Sequence, residues 1–429
     1  MTLRPGEGTT PGGGWGDWLP PVDAWARARA AWRPVLTSAR EIPLAEAYRR
    51  ILASDVRAPL DSPLFDRSAM DGYAVRAADT ADADAETPAH LSYAGEVPMG
   101  TESRAAVGPG QAVWVATGSM LPAGADGVIM VERTIREGGV VLVAQPVSTG
   151  DNIVRRGADL RAGDLVLRAG HALRPQDVAV LASMGLAQAM VRARPRVAIV
   201  AGGDELVSPG DPLGPGQIYD SNSYAMAAQV EAWGGEARVL PRAPDRPEAV
   251  RASLQRAVAA ADIVLLSGGS SVGVKDLTAA AIDDVGRPAG PGVVVHGVAM
   301  RPGRPTIVGV VEGTLVVGIP GNPVSAMVAC EVFARPAIEA LLGVRPPRQA
   351  GAVGDDAATG RLAARVGSQE GRQDYVRVRL VSGADGPVVQ PVPGGSGIIR
   401  SMVEANGMLV IPPERAALEE GETVEVRLF

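Results

Sequence analysis

Apolar residues first recur at helical spacing over 22–32, a stretch closed by Pro34. They do so again over 44–52, where Leu44, Ala47, Tyr48 and Ile51 fall on one face. Both are predicted helices. From 58 to 154 the pattern shortens to valine-rich runs separated by Gly and Pro, at 112–116, 127–131 and 140–143, which predicts an all-β insertion. Between 155 and 193 come short turns and one helix, started by Pro175 and Asp177 and expected to lie beside the first two helices. The expected N-terminal domain is therefore mixed and discontinuous, 21–57 with 155–193, and the β unit of 58–154 is inserted into it. Over 194–343 strands alternate with helices. The strands fall at 196–201, 236–240, 262–267, 293–299 and 315–319, and a helix at 247–260 repeats Val250, Leu254 and Val258 every four residues. A last helix over 323–342 is expected to bend near Pro336. Beyond Gly343 strict alternation returns: Val376, Val378 and Leu380 against Arg377 and Arg379, then Val424, Val426 and Leu428 against Glu425 and Arg427. That marks 344–429 as a small separate β domain. Residues 1–20, rich in Gly and Pro, read as a disordered tail that includes Trp15 and Trp18. The predicted fold class is multidomain α/β plus β, its central α/β domain built on a mostly parallel sheet.

Composition removes several classes of function. At 429 residues the chain has room for two to four domains, and with 3% aromatic residues their cores must be built from Val, Leu, Ile and Ala. A net charge of −7 argues against a general nucleic-acid binder, which needs a basic face. The single cysteine, Cys330, excludes an internal disulfide framework and any multi-cysteine metal site. His90, His171 and His296 lie too far apart for metal-ligand spacing. The start shows no signal-peptide pattern, and the longest apolar stretch, 178–187, is too short to span a bilayer. The cytoplasm is the expected location, with no membrane and no nucleic-acid partner.

Ligands of open α/β sheets sit beyond the carboxyl ends of the strands, and four such ends are polar here. The first is Ala201-Gly-Gly-Asp-Glu205, where a tight turn with a helix cap is an equal reading. The second, Ser267-Gly-Gly-Ser-Ser-Val-Gly-Val-Lys-Asp276, carries the only lysine of the chain, Lys275, beside Asp276. Its glycine N–H groups and hydroxyls, Gly268, Gly269 and Ser271 among them, suit an anion. The third is Arg301-Pro-Gly-Arg304, with two guanidinium forks on a rigid turn, suited to oxyanions or equally to solvent. The fourth, Gly318-Ile-Pro-Gly-Asn-Pro323, opens a helix with Asn322 at the N-cap, so that free N–H groups favour an anion. Two loops outside this unit are also unusual. Phe65-Asp-Arg-Ser-Ala-Met-Asp-Gly-Tyr73 holds two carboxylates, and 150–159 pairs two arginines with Asp159. Simple turns account for either, unless a dimer brings them to a partner's crevice.

Together these segments resemble the molybdopterin molybdenumtransferase family, the MoeA-type proteins related to the gephyrin E domain. The resemblance runs in matching order from about residue 22 to 429. It is carried by Ser68-Ala-Met-Asp-Gly-Tyr73, 116–126, 152–159, 203–206, 219–224, the glycine loop, 301–305 and 318–326. It implies a homodimer whose active site lies between the α/β domain of one subunit and the inserted β domain of the other. It also implies insertion of molybdate into adenylylated molybdopterin with release of AMP, a Mg²⁺ requirement, and contacts with an adenylyltransferase and apo-molybdoenzymes. By motif position, Asp71, Asp159, Glu205 and Asp276 correspond to the catalytic carboxylates, Glu205 and Asp276 also being candidate metal ligands. Ser68, Gly268, Gly269, Ser271, Lys275, Arg301, Arg304, Pro320, Gly321 and Pro323 correspond to substrate- and oxyanion-binding positions. Two departures stand out: the family's turn lysines are Arg301 and Arg304, and Val274-Lys275 replaces an acidic position of the glycine loop. The alternatives implied are a scaffold of the same fold without turnover and a paralogue specialised for tungstate.

Overall fold

In the computed structural model the described residues are 18–268, 274–288, 290–345, 351, 354 and 356–429, the side chains of 274–276 excepted. Runs of Val, Ile, Leu and Ala without a polar break at 197–200, 263–266 and 315–317 need apolar layers on both faces. They lie in a six-stranded sheet ordered Glu236–Val239, Arg196–Ala201, Ile263–Gly268, Thr314–Pro320, Ile307–Val311, Gly292–His296. The first four strands are parallel, the fifth runs antiparallel to the fourth, and the sixth antiparallel to the fifth. Alternate side chains divide between the faces. Val197, Ile199, Ile263, Leu265 and Val317 share a core with the helix Pro21–Trp32 and the last helix of the unit. Ala198, Val200, Val264, Leu266 and Val316 pack with Val250, Leu254 and Val258 of Pro247–Ala260 and with Ile282 of Val274–Gly286.

Several expectations need correction. The strand Ile307–Val311 is not among those the alternation predicts. It turns into Thr314–Pro320 through Glu312-Gly313, both at positive φ (49° and 80°), the geometry whose twist suits a two-residue hairpin. The last helix is divided, not bent: Cys330–Ala334 is a π-turn between Pro323–Ala329 and Arg335–Leu342. Pro336 offers no N–H to the preceding turn, and the wider turn gives its ring room. The first helix packs on the α/β sheet, Ala24, Trp25, Ala28 and Trp32 lying in the core of Val295, Val308 and Phe333. The helix predicted over 44–52 is a short 3₁₀ turn, Leu44–Glu46. Its flanks are held in β pairing, Ala39–Pro43 with Gln188–Arg192 and Leu52 with Val191, and so short a segment nucleates a helix poorly.

Val56–Arg57 pairs with Leu165–Leu167, and Ile42, Leu52, Leu173, Leu181 and Val191 form a core of their own. A second six-stranded sheet lies between, ordered Gly127–Met130, Gly72–Val75, Gln111–Val115, Ala89–Val97, Val140–Val143, Thr134–Glu137. Toward the C-terminus Gln373–Gly383, Gly386–Pro391, Asp356–Leu362, Thr423–Leu428 and Gly407–Ile411 pair in turn, and the last pairs back to the first. That closes a barrel around Val378, Val389, Leu409 and Val426. The barrel is joined to the α/β unit by a parallel pairing of Met300–Arg301 with Gln373 and Asp374, and the Gln373 N–H donates to the Ala299 carbonyl at 2.9 Å.

Candidate functional site

Strand register brings the polar ends together. Ala201 lies beside Ser267, and Gly268 beside Pro320. The turn at 202–205, the glycine loop and the 318–323 turn therefore leave from one edge of the sheet, as the chain's parallel order requires. A cleft of about 780 Å³ opens there, between the sheet and the barrel. Gly268, Arg301, Arg304, Pro320 and Gly321 line it, together with Thr278 and Ser325. Pro323 starts the helix behind it and does not line it.

The barrel supplies the opposite wall, which sequence reasoning missed. Arg372, Asp374, Arg377, Gly394 and Ser396 all face the cleft. Among the described residues its charged lining is four arginines, Arg301, Arg304, Arg372 and Arg377, against one carboxylate, Asp374. Arg372 already grips Asp374 through Nε at 2.8 Å and Nη2 at 3.1 Å. The wall is thus strongly cationic in a chain whose net charge is −7. Arg377 is 8% exposed; its Nη2 donates to the Gly394 carbonyl, and its Nε has no partner among the described residues. Burial, and then the neighbouring charge of Arg301, push its pKa below the ordinary guanidinium value. A buried donor left without an acceptor is costly.

Asn322 occupies the N-cap position, yet its side chain does not cap the helix. Its Nδ2 reaches the barrel and donates to Ser396 Oγ at 2.9 Å, while the Ser396 carbonyl accepts from the Val324 N–H at 3.0 Å. The barrel loop therefore occupies part of the helix N-terminus that the sequence offered to an anion. Among the described residues, guanidinium groups are the cationic hydrogen-bond donors that line the cleft.

The carboxylates are placed differently. Asp71 is exposed, and its Oδ1 accepts from the backbone N–H of Thr117 at 2.6 Å and from Thr117 Oγ1 at 2.8 Å. The Thr117 N–H, then its hydroxyl, hold this carboxyl below the usual range. Thr117 also escaped sequence reasoning, although a Thr-Gly-Ser run just after a strand was its signal. The Asp71-Gly72 pair is no turn: Gly72 opens a strand, and a Cβ there would overlap the Ile129 carbonyl. Ser68 is buried and its hydroxyl donates to the Met70 carbonyl at 2.5 Å, a bond within the loop. The arginines of the 150–159 loop do not pair with Asp159. Arg155 pairs with Asp66 and Arg156 with Asp61, each at 2.6 Å, while Ser62 Oγ lies 3.4 Å from Asp159 Oδ2. Glu205 folds its carboxylate back over Gly203. None of Ser68, Asp71, Asp159 and Glu205 lines the cleft of its own chain.

Gly269 and Ser271 lie outside the described residues. Lys275 and Asp276 open the helix Val274–Gly286, but their side chains lie outside the described part. Among the described residues no three His, Cys, Asp or Glu side chains cluster to hold a metal.

The whole arrangement has known counterparts. Residues 19–185 match the model of the MoeA N-terminal region (domains I and II), 198–340 that of a probable molybdopterin binding domain, and 359–429 that of the MoeA C-terminal region (domain IV). Molybdopterin molybdenumtransferase 2 of Mycobacterium tuberculosis is 38% identical over 408 residues, 94% of this chain and 96% of that one. The molybdopterin molybdenumtransferase of Haemophilus influenzae is 35% identical over 402 residues, 92% of this chain and 95% of that one. A crystal structure of the molybdopterin biosynthesis MoeA protein of Pyrococcus horikoshii superposes with a TM-score of 0.81 at 31% identity, covering 96% of this chain and 100% of that one. With likeness of sequence and fold running nearly end to end, this chain belongs to the molybdopterin molybdenumtransferase (MoeA) family.

Proposed function

We propose that the chain is a transferase of molybdenum cofactor biosynthesis that inserts molybdate into adenylylated molybdopterin and releases AMP. The observation that carries this reading is the cationic cleft wall, four arginines against one carboxylate among the described lining residues. Guanidinium forks suit the tetrahedral molybdate dianion and the phosphates of the nucleotide alike. Arg301, Arg304 and Arg377 are assigned to these anions, with Ser396 and the turns at 268 and 320–321 closing around them. The sole carboxylate among the described lining residues, Asp374, is engaged by Arg372. Carboxylates to orient the attacking water must then come from elsewhere. Asp71 is exposed and stays ionised through Thr117, and Asp159 is exposed as well. We place both at the cleft of a second subunit in a homodimer, where the ionised Asp71 would hold and orient the water that attacks the adenylyl bond.

Mg²⁺ belongs to the proposal, but the described residues of one chain do not by themselves make a site for it. Glu205 and Asp276 remain its assigned ligands. Among the described residues no helix is long and apolar enough to cross a membrane; we place the enzyme in the cytoplasm, handing product to apo-molybdoenzymes. The test is AMP release from adenylylated molybdopterin with Mg²⁺ and either molybdate or tungstate. Oxyanion-dependent release is expected, with Asp71→Ala binding nucleotide yet failing to turn over. Absence of any such release in the unaltered protein would move the reading to a scaffold.

A further inference from the structure

We propose that a pocket at the amino edge of the α/β sheet is a second anion site, taking the phosphate group of a small phosphomonoester that clasps two units of the chain together. The cleft described above lies at the carboxyl edge. At the opposite edge Arg196 and Glu236 are the paired first residues of neighbouring strands, and Asp262 directly precedes a third. The chain crosses here from the N-terminal unit of Ile42, Leu52 and Val191 into the sheet, through Ala193, Arg194 and Pro195. Arg196, Glu236 and Asp262 line a pocket of about 730 Å³ together with Arg194 of the crossing and Arg40, Glu46 and Arg50 of the N-terminal unit.

The charges of this pocket are unevenly matched. Arg196 holds Asp262 at 2.9 Å and 3.3 Å, Glu236 accepts from Arg238 at 2.7 Å, and Arg194 gives Nη1 to Glu231 at 2.9 Å. Arg40 and Arg50 have no ion pair among the described residues. Arg50 is 9% exposed, yet its guanidinium makes one hydrogen bond there, Nη2 donating to the Arg192 carbonyl at 2.8 Å. Burial, then Arg194 and Arg40, push its pKa below the ordinary guanidinium value, against the weaker pull of Glu46. A nearly buried cation facing two further cations is costly. A tetrahedral dianion among Arg40, Arg50 and Arg194 offsets that repulsion and suits guanidinium forks. A bare phosphate fills little of the pocket, whose volume is that of a small-molecule site. Glu46 and the hydroxyl of Ser38, also in the lining, offer an acceptor and a donor to the hydroxyls of an ester.

The test adds inorganic phosphate or glycerol 3-phosphate to the full chain, with sodium chloride of equal ionic strength as control, and follows amide hydrogen exchange in 37–50 and 188–196. No residue of these segments lines the carboxyl-edge cleft, so an anion held there is not what they read. Phosphate is expected to slow their exchange in a saturable way that chloride does not reproduce, and the ester to half-saturate at an equal or lower concentration. Arg40→Gln alters an exposed side chain and is expected to raise the half-saturating concentration by about tenfold or more, as loss of a charged donor does. Arg50→Gln should do at least as much; where that variant fails to fold, Arg40→Gln decides. Arg377→Met, in the other cleft, should leave the value unchanged. No slowing, slowing that chloride matches, or slowing that Arg40→Gln leaves at the wild-type concentration overturns the site. An ester that fails where phosphate succeeds overturns its assignment to a phosphomonoester.

Discussion

Replacing Arg377 with Met separates what the cleft wall does for stability from what it does for binding. The unbranched methionine keeps most of the buried stem in place and removes a cation that is 8% exposed. In the ligand-free protein two effects oppose. The charge-assisted bond from Nη2 to the Gly394 carbonyl is lost, at a cost of about 1.5–3 kcal/mol. Against that, the unpaired Nε disappears, recovering about 1–3 kcal/mol, and so does the repulsion from Arg301 that, after burial, lowers the Arg377 pKa. The two sides cancel to within about 1 kcal/mol. Molybdate has no such compensation. It loses one charged donor, about 1.5–3 kcal/mol, or roughly 10- to 150-fold in affinity. Urea unfolding and molybdate titration on the same preparation read the two quantities. A variant several kcal/mol less stable with unchanged molybdate affinity refutes the reasoning, because Arg377 would then be a strut between barrel loop and strand.

Two further outcomes follow from single contacts. Gly72→Ala forces a Cβ onto the Ile129 carbonyl and should lower stability by on the order of 3 kcal/mol, as backbone overpacking does; a melting temperature equal to wild type would contradict that geometry. Asp177 accepts from Arg174, which holds its carboxyl well below the usual range against the opposing effect of burial, with His171 adding to the hold at 2.7 Å. Its folded pKa is depressed, so its stabilisation is present above the unfolded value of about 3.9 and is lost as pH falls below it. Asp177→Asn should therefore melt well below wild type at pH 7, and the gap should narrow between about pH 4 and pH 2. A gap that stays constant over that range would assign the loss to packing.

The sheet edge of the site was legible because its signals are local. Buried strands announce themselves by unbroken apolar runs, and the glycines and arginines at 268, 301–304 and 318–321 follow directly from strand ends. Where an outcome depended on segments distant in the chain, the pattern failed. The periodicity of 44–52 is helical, but pairing with 188–192 overrides it. Trp18 sits in Gly- and Pro-rich sequence, yet Val298 holds the residue beside it. The inserted loops were singled out for their chemistry, but Thr117, which fixes Asp71, lies 46 residues away.

The barrel wall shows the limit most clearly. Arg377 and Arg379 alternate with Val376, Val378 and Leu380, and so lie on the same face of one strand. Alternation specifies a face; it does not specify what covers that face. Arg377 is buried because Gln373 and Asp374, at the start of its strand, pair with Met300 and Arg301 and bring the barrel onto the sheet edge. Two residues further along, past the rim of that contact, Arg379 is exposed. The pair is therefore its own control. Arg379→Met removes the same charge from the same strand outside the cleft, so it should leave molybdate affinity within about twofold of wild type, the range of screened surface charges. Equal losses from Arg377→Met and Arg379→Met would mean that the barrel acts through its overall field. A loss confined to Arg377 means that it acts through a guanidinium held at the cleft.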